Sequence, residues 1–253
     1  MEILTSIRNP RVMTWKSLKE RKGRRETGLF LAEGRKMTEE ALESGFPVQA
    51  VLLNTDGPEP FTVPEGVPVY GMPGHIFSAI CDTRTPQGIA AVVATNGPRR
   101  AMGKRLLVLD AVQDPGNVGT MIRTADAAGF EGVLMSGECA DAFSPKVLRA
   151  TMGSIFRVPL QVADDLPRAL NDLKAEGSSI LSTQLDGTPF YDRQGVNERF
   201  CLVIGNEGNG ISEPVRALAT HHLRLPMRGG AESLNAAVAA GIMMYDLTRS
   251  LDA

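Results

Sequence analysis

Leu109 to Phe130 reads LDAVQDPGNVGTMIRTADAAGF. The apolar run that enters it, RLLVLDAV from Arg105 to Val112, has the unbroken hydrophobicity of a strand buried on both faces. Asp114-Pro115-Gly116 breaks the run. From Gly116 to Ala128 the apolar spacing becomes helical, until Gly129 stops it. GVLMS, Gly132 to Ser136, is a second buried strand, so the stretch is a strand-helix-strand unit. Further strand-like runs at Ser179–Thr183 and Phe200–Gly205 are separated by helical stretches, notably Asp165–Glu176. This alternation predicts an α/β fold with a parallel sheet sandwiched by helices. Ser233 to Leu251 is Ala-rich and free of Pro, which predicts a long, largely buried closing helix.

Upstream, the strand-like runs VQAVLL, VPVY and GIAAVV between Phe30 and Asn96 alternate with helical ones, including RKMTEEALESG, which closes on Gly45 as C′ residue. That is a small α/β unit of its own. NGPRRAMGK, Asn96 to Lys104, combines turn formers with basic residues, as an exposed connection would. The expected division is therefore 1–97, a linker at 98–104, and 105–253. Asn9-Pro10 is a helix start, and Val12, Trp15 and Leu18 fall on one face of that helix.

The chain has 253 residues, with 43% hydrophobic and 22% charged, which suits a folded globular protein. No apolar run approaches the length of a membrane span, and the start MEILTSIRNPRV lacks a secretory core, so the cytoplasm is the expected compartment. Cys81, Cys139 and Cys201 are scattered, as small buried thiols would be, and no paired spacing suggests a metal site. The net charge of -2 conceals a basic start: ten Lys and Arg against four acids in the first 36 residues. Met37 to Gly97 then holds one basic residue, Arg84, against seven acids. Arg21, Lys22, Arg24, Arg25 and Arg35 are the candidate phosphate contacts of an RNA-binding face, although a basic helix face is equally often just solvated.

Three loops carry candidate chemistry. The first, after Leu109, delivers Asn117 and Arg123 at a helix N-terminus on the carboxyl edge of the sheet, where ligands of open α/β sheets bind. Alternatively, Asn117 caps the helix and Arg123 is a surface charge. The second, CLVIGNEGNGIS from Cys201 to Ser212, sets glycines around Asn206, Glu207 and Asn209 and could let backbone approach a flat ligand. Its spacing, Gly205-x-x-Gly208-x-Gly210, is not the dinucleotide fingerprint, which argues against an oxidoreductase. The third, LRLPMRGGAESLNAAVAAGI from Leu223, offers Leu225, Pro226 and Met227 as an apolar wall, then Ser233 and Asn235 at a helix start, where Ser233 could simply be the N-cap.

In this order and separation the three motifs resemble the SpoU (TrmH-like) family of RNA 2′-O-ribose methyltransferases, over Leu106 to Leu251. TSIRNPRV and RKGRRETGLFLAEGRK extend the likeness to the substrate-binding domain of rRNA-modifying members. The resemblance implies a trefoil-knotted (SPOUT-type) methyltransferase domain, a homodimer formed through it, and S-adenosylmethionine as methyl donor. Positions matching the donor pocket are Gly205, Leu225 and Leu234, with Ile204, Met227 and Asn235 beside them. The catalytic and substrate-positioning set maps onto Asn117, Arg123, Glu207, Ser233 and Asn235. An rRNA substrate is expected, with tRNA as the alternative within the family. A non-catalytic RNA-binding or ribosome assembly factor that keeps the fold is the alternative outside it.

Methyl transfer to a ribose hydroxyl is an in-line displacement governed by alignment, with a weak acid that must lose its proton. A guanidinium has no acceptor, so Arg123 is expected to hold phosphate and stabilise the developing oxyanion, oriented by Asn117. Glu207 is expected to serve structure, by holding Arg123 of the same or the partner subunit, more than as base. Arg228 sits in the third loop as an extra cation that could meet phosphate or solvent.

Overall fold

The computed structural model describes residues 1–57 and 61–249. They form two compact units, 1–99 with 143–156 and 100–142 with 157–249. Within the first, β1 (Glu2–Ile3), α1 (Pro10–Ser17), α2 (Arg21–Thr27), β2 (Leu29–Glu33), α3 (Arg35–Glu43), β3 (Val48–Asn54), β4 (Val69–Met72), α4 (Gly74–Ile80) and β5 (Ile89–Ala94) follow in order. The second begins with β6 (Arg105–Leu109), α5 (Pro115–Ala127) and β7 (Val133–Ser136). The chain then gives α6 (Pro145–Thr151) to the first unit. It completes the second with β8 (Leu160–Ala163), α7 (Leu166–Ala175), β9 (Ser179–Pro189), β10 (Phe200–Ile204), α8 (Glu213–Arg216), β11 (His221–Arg224) and α9 (Ala236–Thr248).

The first sheet has the order β1-β4-β3-β5-β2, with β5 antiparallel to both neighbours. Val12, Trp15 and Leu18 are buried with Leu52, Met72, Ile76 and Phe77, so the face read from their spacing is the core face of α1. Asn9 caps that helix by accepting from the Arg11 N–H. Gly45 follows α3 with φ 80°, the left-handed exit its sequence suggested. Phe143 to Phe156 lies within the 105–253 stretch of sequence yet packs here: Phe30 stacks on Phe143 at 4.8 Å, Phe156 meets Phe46 edge-on, and Arg149 pairs with Asp82 at 2.7 Å. Local periodicity carries no information about such a nonlocal anchor.

The basic run after α1 is not a continuation of it. The chain breaks at Leu18 to Glu20 and restarts as α2, which lies so close that a Cβ on Gly23 would meet the Ser17 carbonyl. Arg24, expected on the RNA-gripping face, is 5% exposed and donates to the carbonyls of Leu18 and Lys19 at 2.7 and 2.8 Å. It closes the orphaned end of α1. Replacing Arg24 with Ala strands those carbonyls and should cost roughly 1.5 to 3 kcal/mol of stability, readable in denaturant unfolding. Arg21, Lys22 and Arg25 remain exposed, whereas Arg35 pairs with Glu39 and lies over the Phe61 ring.

The second sheet is parallel throughout, in the order β11-β9-β10-β6-β7-β8. Buried Leu106, Val108, Ile180, Cys201 and Val203 meet Leu166 and Leu170 of α7 and Val215 of α8 on one face. Elsewhere in the unit α5 packs against α9. The closing helix starts at Ala236, three residues later than expected, because Asn235 is the cap: its side chain accepts from the N–H groups of Ala237 and Val238. Its expected end, Leu251, lies outside the described residues. Nor is α9 buried all round, since Val238, Ile242 and Tyr245 are exposed along one face. All three cysteines are buried and free, and burial pushes the Cys201 thiol up to about 12, so it stays protonated at neutral pH.

Candidate active site: three loops tied by a carboxylate and two amides

Parallel strands deliver their following loops to the same edge, and β6 and β10 are direct neighbours. The loops after Leu109 and Ile204 therefore start side by side. Asp110, 5% exposed, accepts from the Ser212 N–H at 2.7 Å, and the Asp110 N–H donates to the Ile204 carbonyl. Gly205 is required by the turn itself, because a Cβ there would occupy the backbone of Gly210 and Ile211. The glycine thus lets the loop close on itself, a different reason from the ligand approach expected of it.

Asp114, not Asn117, caps α5, accepting from the Asn117 N–H at 2.8 Å with Pro115 in the first turn. This leaves the Asn117 amide free for longer-range work. Asn117 Nδ2 donates to Glu207 Oε1 at 2.9 Å, and Asn117 Oδ1 accepts from Asn235 Nδ2 at 2.9 Å. Glu207 accepts as well from the backbone N–H groups of Gln113 and Asp114, each at 3.1 Å. One carboxylate and two amides thus connect all three loops. Burial favours the neutral form of Glu207, but the bonds from Asn117, Gln113 and Asp114 outweigh it and hold the carboxyl below the ordinary value of 4.5.

The remaining candidates sit as follows. Arg123 is exposed on α5 and its side chain makes no hydrogen bond or ion pair to another described residue, so neither Asn117 nor Glu207 orients it within one chain. Ser233 is exposed and unbonded among the described residues, and it is not the helix cap. Leu225 and Met227 are half-buried, Leu234 is exposed, and the Ile204 side chain points into the core at 3% exposure. Arg228 is exposed. Sequence reasoning assigned no role to Asp110, Asp114 or Asn206. Asp-Pro at a helix start was a legible capping signal for Asp114, whereas Asp110 and Asn206 act across loops distant in sequence.

Among the described residues, no backbone group from Leu225 to Leu234 is hydrogen-bonded. Half-buried apolar side chains beside unspent N–H and C=O groups are what a purine ring and a polar amino-acid tail can use, so the third loop fits a nucleoside-like ligand. Among the described residues no group of three or more His, Cys, Asp or Glu could share a metal ion, and no helix is long and apolar enough to cross a membrane. An open cleft of about 610 Å³ is lined by Tyr191, Arg193, Gly195, Val196, Asp246 and Arg249 and shares no residue with the three loops. Its most enclosed cation, Arg193, is already bound to Asp246 at 2.6 Å and stacked on Phe190. The interlocked loops are the better candidate site.

The chain is thus a two-unit α/β protein, in which three strand-end loops meet at one edge of a parallel sheet in the second unit and a smaller α/β unit forms the first. Residues 104–245 match the SpoU rRNA Methylase family, and residues 9–91 match the MRM3-like substrate binding domain. The chain belongs to the SpoU rRNA methylase family. It is 41% identical over 247 residues, 98% of this chain and 99% of the relative, to the 23S rRNA (guanosine(2553)-2′-O)-methyltransferase RlmP of Bacillus subtilis (strain 168). The AdoMet-bound rRNA methyltransferase from Sinorhizobium meliloti superposes with a TM-score of 0.87 at 31% identity, covering 99% of this chain and 98% of that one. The SpoU methyltransferase AviRb from Streptomyces viridochromogenes, in complex with the cofactor AdoMet, gives a TM-score of 0.86 at 28% identity, covering 97% and 99%.

Proposed function

We propose that this protein transfers a methyl group from S-adenosylmethionine to a ribose 2′-hydroxyl of ribosomal RNA. The observation that carries the reading is the Glu207-Asn117-Asn235 connection, which brings the three family motifs to one edge of one sheet. The matched substrate-binding domain and a full-length relative named for 23S rRNA favour rRNA over tRNA. When bound, S-adenosylmethionine supplies an electrophilic sulfonium methyl. Gly205, Leu225, Met227 and Leu234 would hold it, and the backbone groups of the third loop would be available to its polar atoms.

The protein's own part is alignment and charge. Asn117 and Asn235 each keep one amide N–H beyond their mutual bonds, and Arg123 keeps its whole guanidinium. The site therefore presents donors, which suit an RNA phosphate and an oxygen gaining negative charge. Arg123 holds the phosphate and steadies that oxygen, while water or a neighbouring RNA phosphate accepts the proton. Glu207 keeps the loops in register, and the exposed Arg21, Lys22 and Arg25 meet the RNA backbone. The knotted chain path of the family is part of this reading.

The exposed stripe Val238, Ile242 and Tyr245 supports a homodimer through the second unit, since residues spaced by four and three share one face of α9. Ile242→Glu should convert the dimer to monomer in sedimentation velocity; an unchanged dimer would place the interface elsewhere. The function is tested with isotope-labelled S-adenosylmethionine and separated rRNA and tRNA, followed by mapping of ribose methylation. Label in rRNA is the expected result. Label in tRNA alone moves the substrate, and absence of both label and donor binding leaves the assembly-factor alternative.

A further inference from the structure

We infer that Asn206 is a positioning residue: its side chain holds Ala111 in a left-handed conformation and so presents the Gln113 and Asp114 N–H groups to Glu207. The inference rests on the methyltransferase reading above for its activity readout, and on geometry alone for the rest. Ala111 has φ 54°, one of two non-glycine residues with positive φ among those described. Alanine has no side-chain hydrogen bond with which to stabilise that region, so the conformation must be imposed from outside. It is held at both ends of the residue. The Ala111 N–H donates to Oγ of the buried Ser136 at 3.0 Å, and the Ala111 carbonyl accepts from Asn206 Nδ2 at 2.8 Å.

Asn206 is well placed to impose it because its backbone groups and its side-chain oxygen are all bonded within its own loop. Its backbone N–H and carbonyl pair with Gly210, each at 2.9 Å, and its Oδ1 accepts from the N–H groups of Gly208 and Asn209, both at 3.0 Å. The amide is thus fixed in orientation by the glycine loop before it reaches across to Ala111. The turn at Ala111 redirects the chain so that the next N–H groups but one, those of Gln113 and Asp114, face the Glu207 carboxylate. Asp110 ties the same two loops in the other sense, accepting from Ser212. Asn206 acts through Ala111 and Glu207; it need not touch substrate.

Asn206→Asp keeps an oxygen for Gly208 and Asn209 but replaces the donor facing the Ala111 carbonyl with an acceptor. Single-turnover methyl transfer should fall by about 10- to 100-fold. Glycine adopts positive φ without a clasp, so N206D combined with A111G should recover to within about threefold of A111G alone. A merely structural lesion in the glycine loop would not respond to a glycine at position 111. Ser136→Ala, which removes the other hold, should be rescued by the same substitution and serves if N206D does not fold. Transfer by N206D within about twofold of the parent, or a loss that A111G leaves uncorrected, would overturn the inference. Hydrogen exchange at the amides of Ala111, Gln113 and Asp114 separates the two readings. Faster exchange in N206D, slowed again in the double variant, upholds the clasp even if the parent protein methylates no RNA, and unchanged exchange sinks it.

Discussion

Arg123→Lys should lower single-turnover methyl transfer by about two to three orders of magnitude while leaving the dissociation constant for S-adenosylmethionine within about twofold. The expectation comes from what the arginine does not do. Exposed on α5 with no partner among the described residues, it supports no fold contact that lysine would lose. Its planar fork can span a phosphate oxygen and the reacting oxygen together, whereas an ammonium offers one centre of charge and a different reach. The residue is open to solvent in a single chain, so its electrostatic value depends on RNA, and on the second copy of the proposed dimer, excluding water around it. The defect of R123K should therefore grow smaller as the RNA is shortened to fragments that leave the site wet. Isothermal titration with the donor and rapid-quench transfer on rRNA are the two measurements. A comparable loss of donor affinity would assign Arg123 to the donor pocket instead.

How much of this was legible follows from the range of each interaction. Four strands of the second sheet, β6, β7, β9 and β10, are legible because each carries its own apolar run, and α5 is legible because Asp-Pro-Gly and Gly129 punctuate it; β8 (LQVA) and β11 (HHLR) lie at the two ends of the sheet and carry no such run. The helix α9 starts three residues later than its sequence suggests because Ser233 and Asn235 are both good caps by type, and only the bonds that Asn235 accepts from Ala237 and Val238 and donates to Asn117 show which one is fixed. Arg24 looks in the sequence like one more cation in a basic run, because nothing local announces that α1 has ended beneath it. The positions of Asn117, Glu207 and Asn235 came from resemblance, and their mutual bonds span 90 and 118 residues of sequence. No periodicity could have carried that. Asn117, expected to orient Arg123, is bonded instead to Glu207 and Asn235.

Glu207 is the sharpest test of how the site handles its proton, because Glu207→Gln and Glu207→Ala separate a base from a scaffold. If the carboxylate were the base, both variants would lose it and both should fail alike. As a scaffold it differs between them. Glutamine can still accept from Asn117 and Asp114, but its amide nitrogen then faces the Gln113 N–H, so one of three bonds is broken. Alanine leaves all three donors without a partner. E207Q should keep about a tenth of the parent rate and E207A about a thousandth or less, read in single turnovers. The pH dependence carries the same distinction. A carboxyl held below 4.5 in the folded protein contributes its loop-ordering fully above the unfolded value and loses it only as pH falls through the lower folded one. The acid limb of the rate assigned to Glu207 should therefore lie below about pH 4.5, and transfer should be insensitive to this group from about pH 5 upward. A limb near neutrality that vanishes in E207Q, with Q and A equally inactive, would make Glu207 the proton acceptor and return Arg123 to phosphate binding alone.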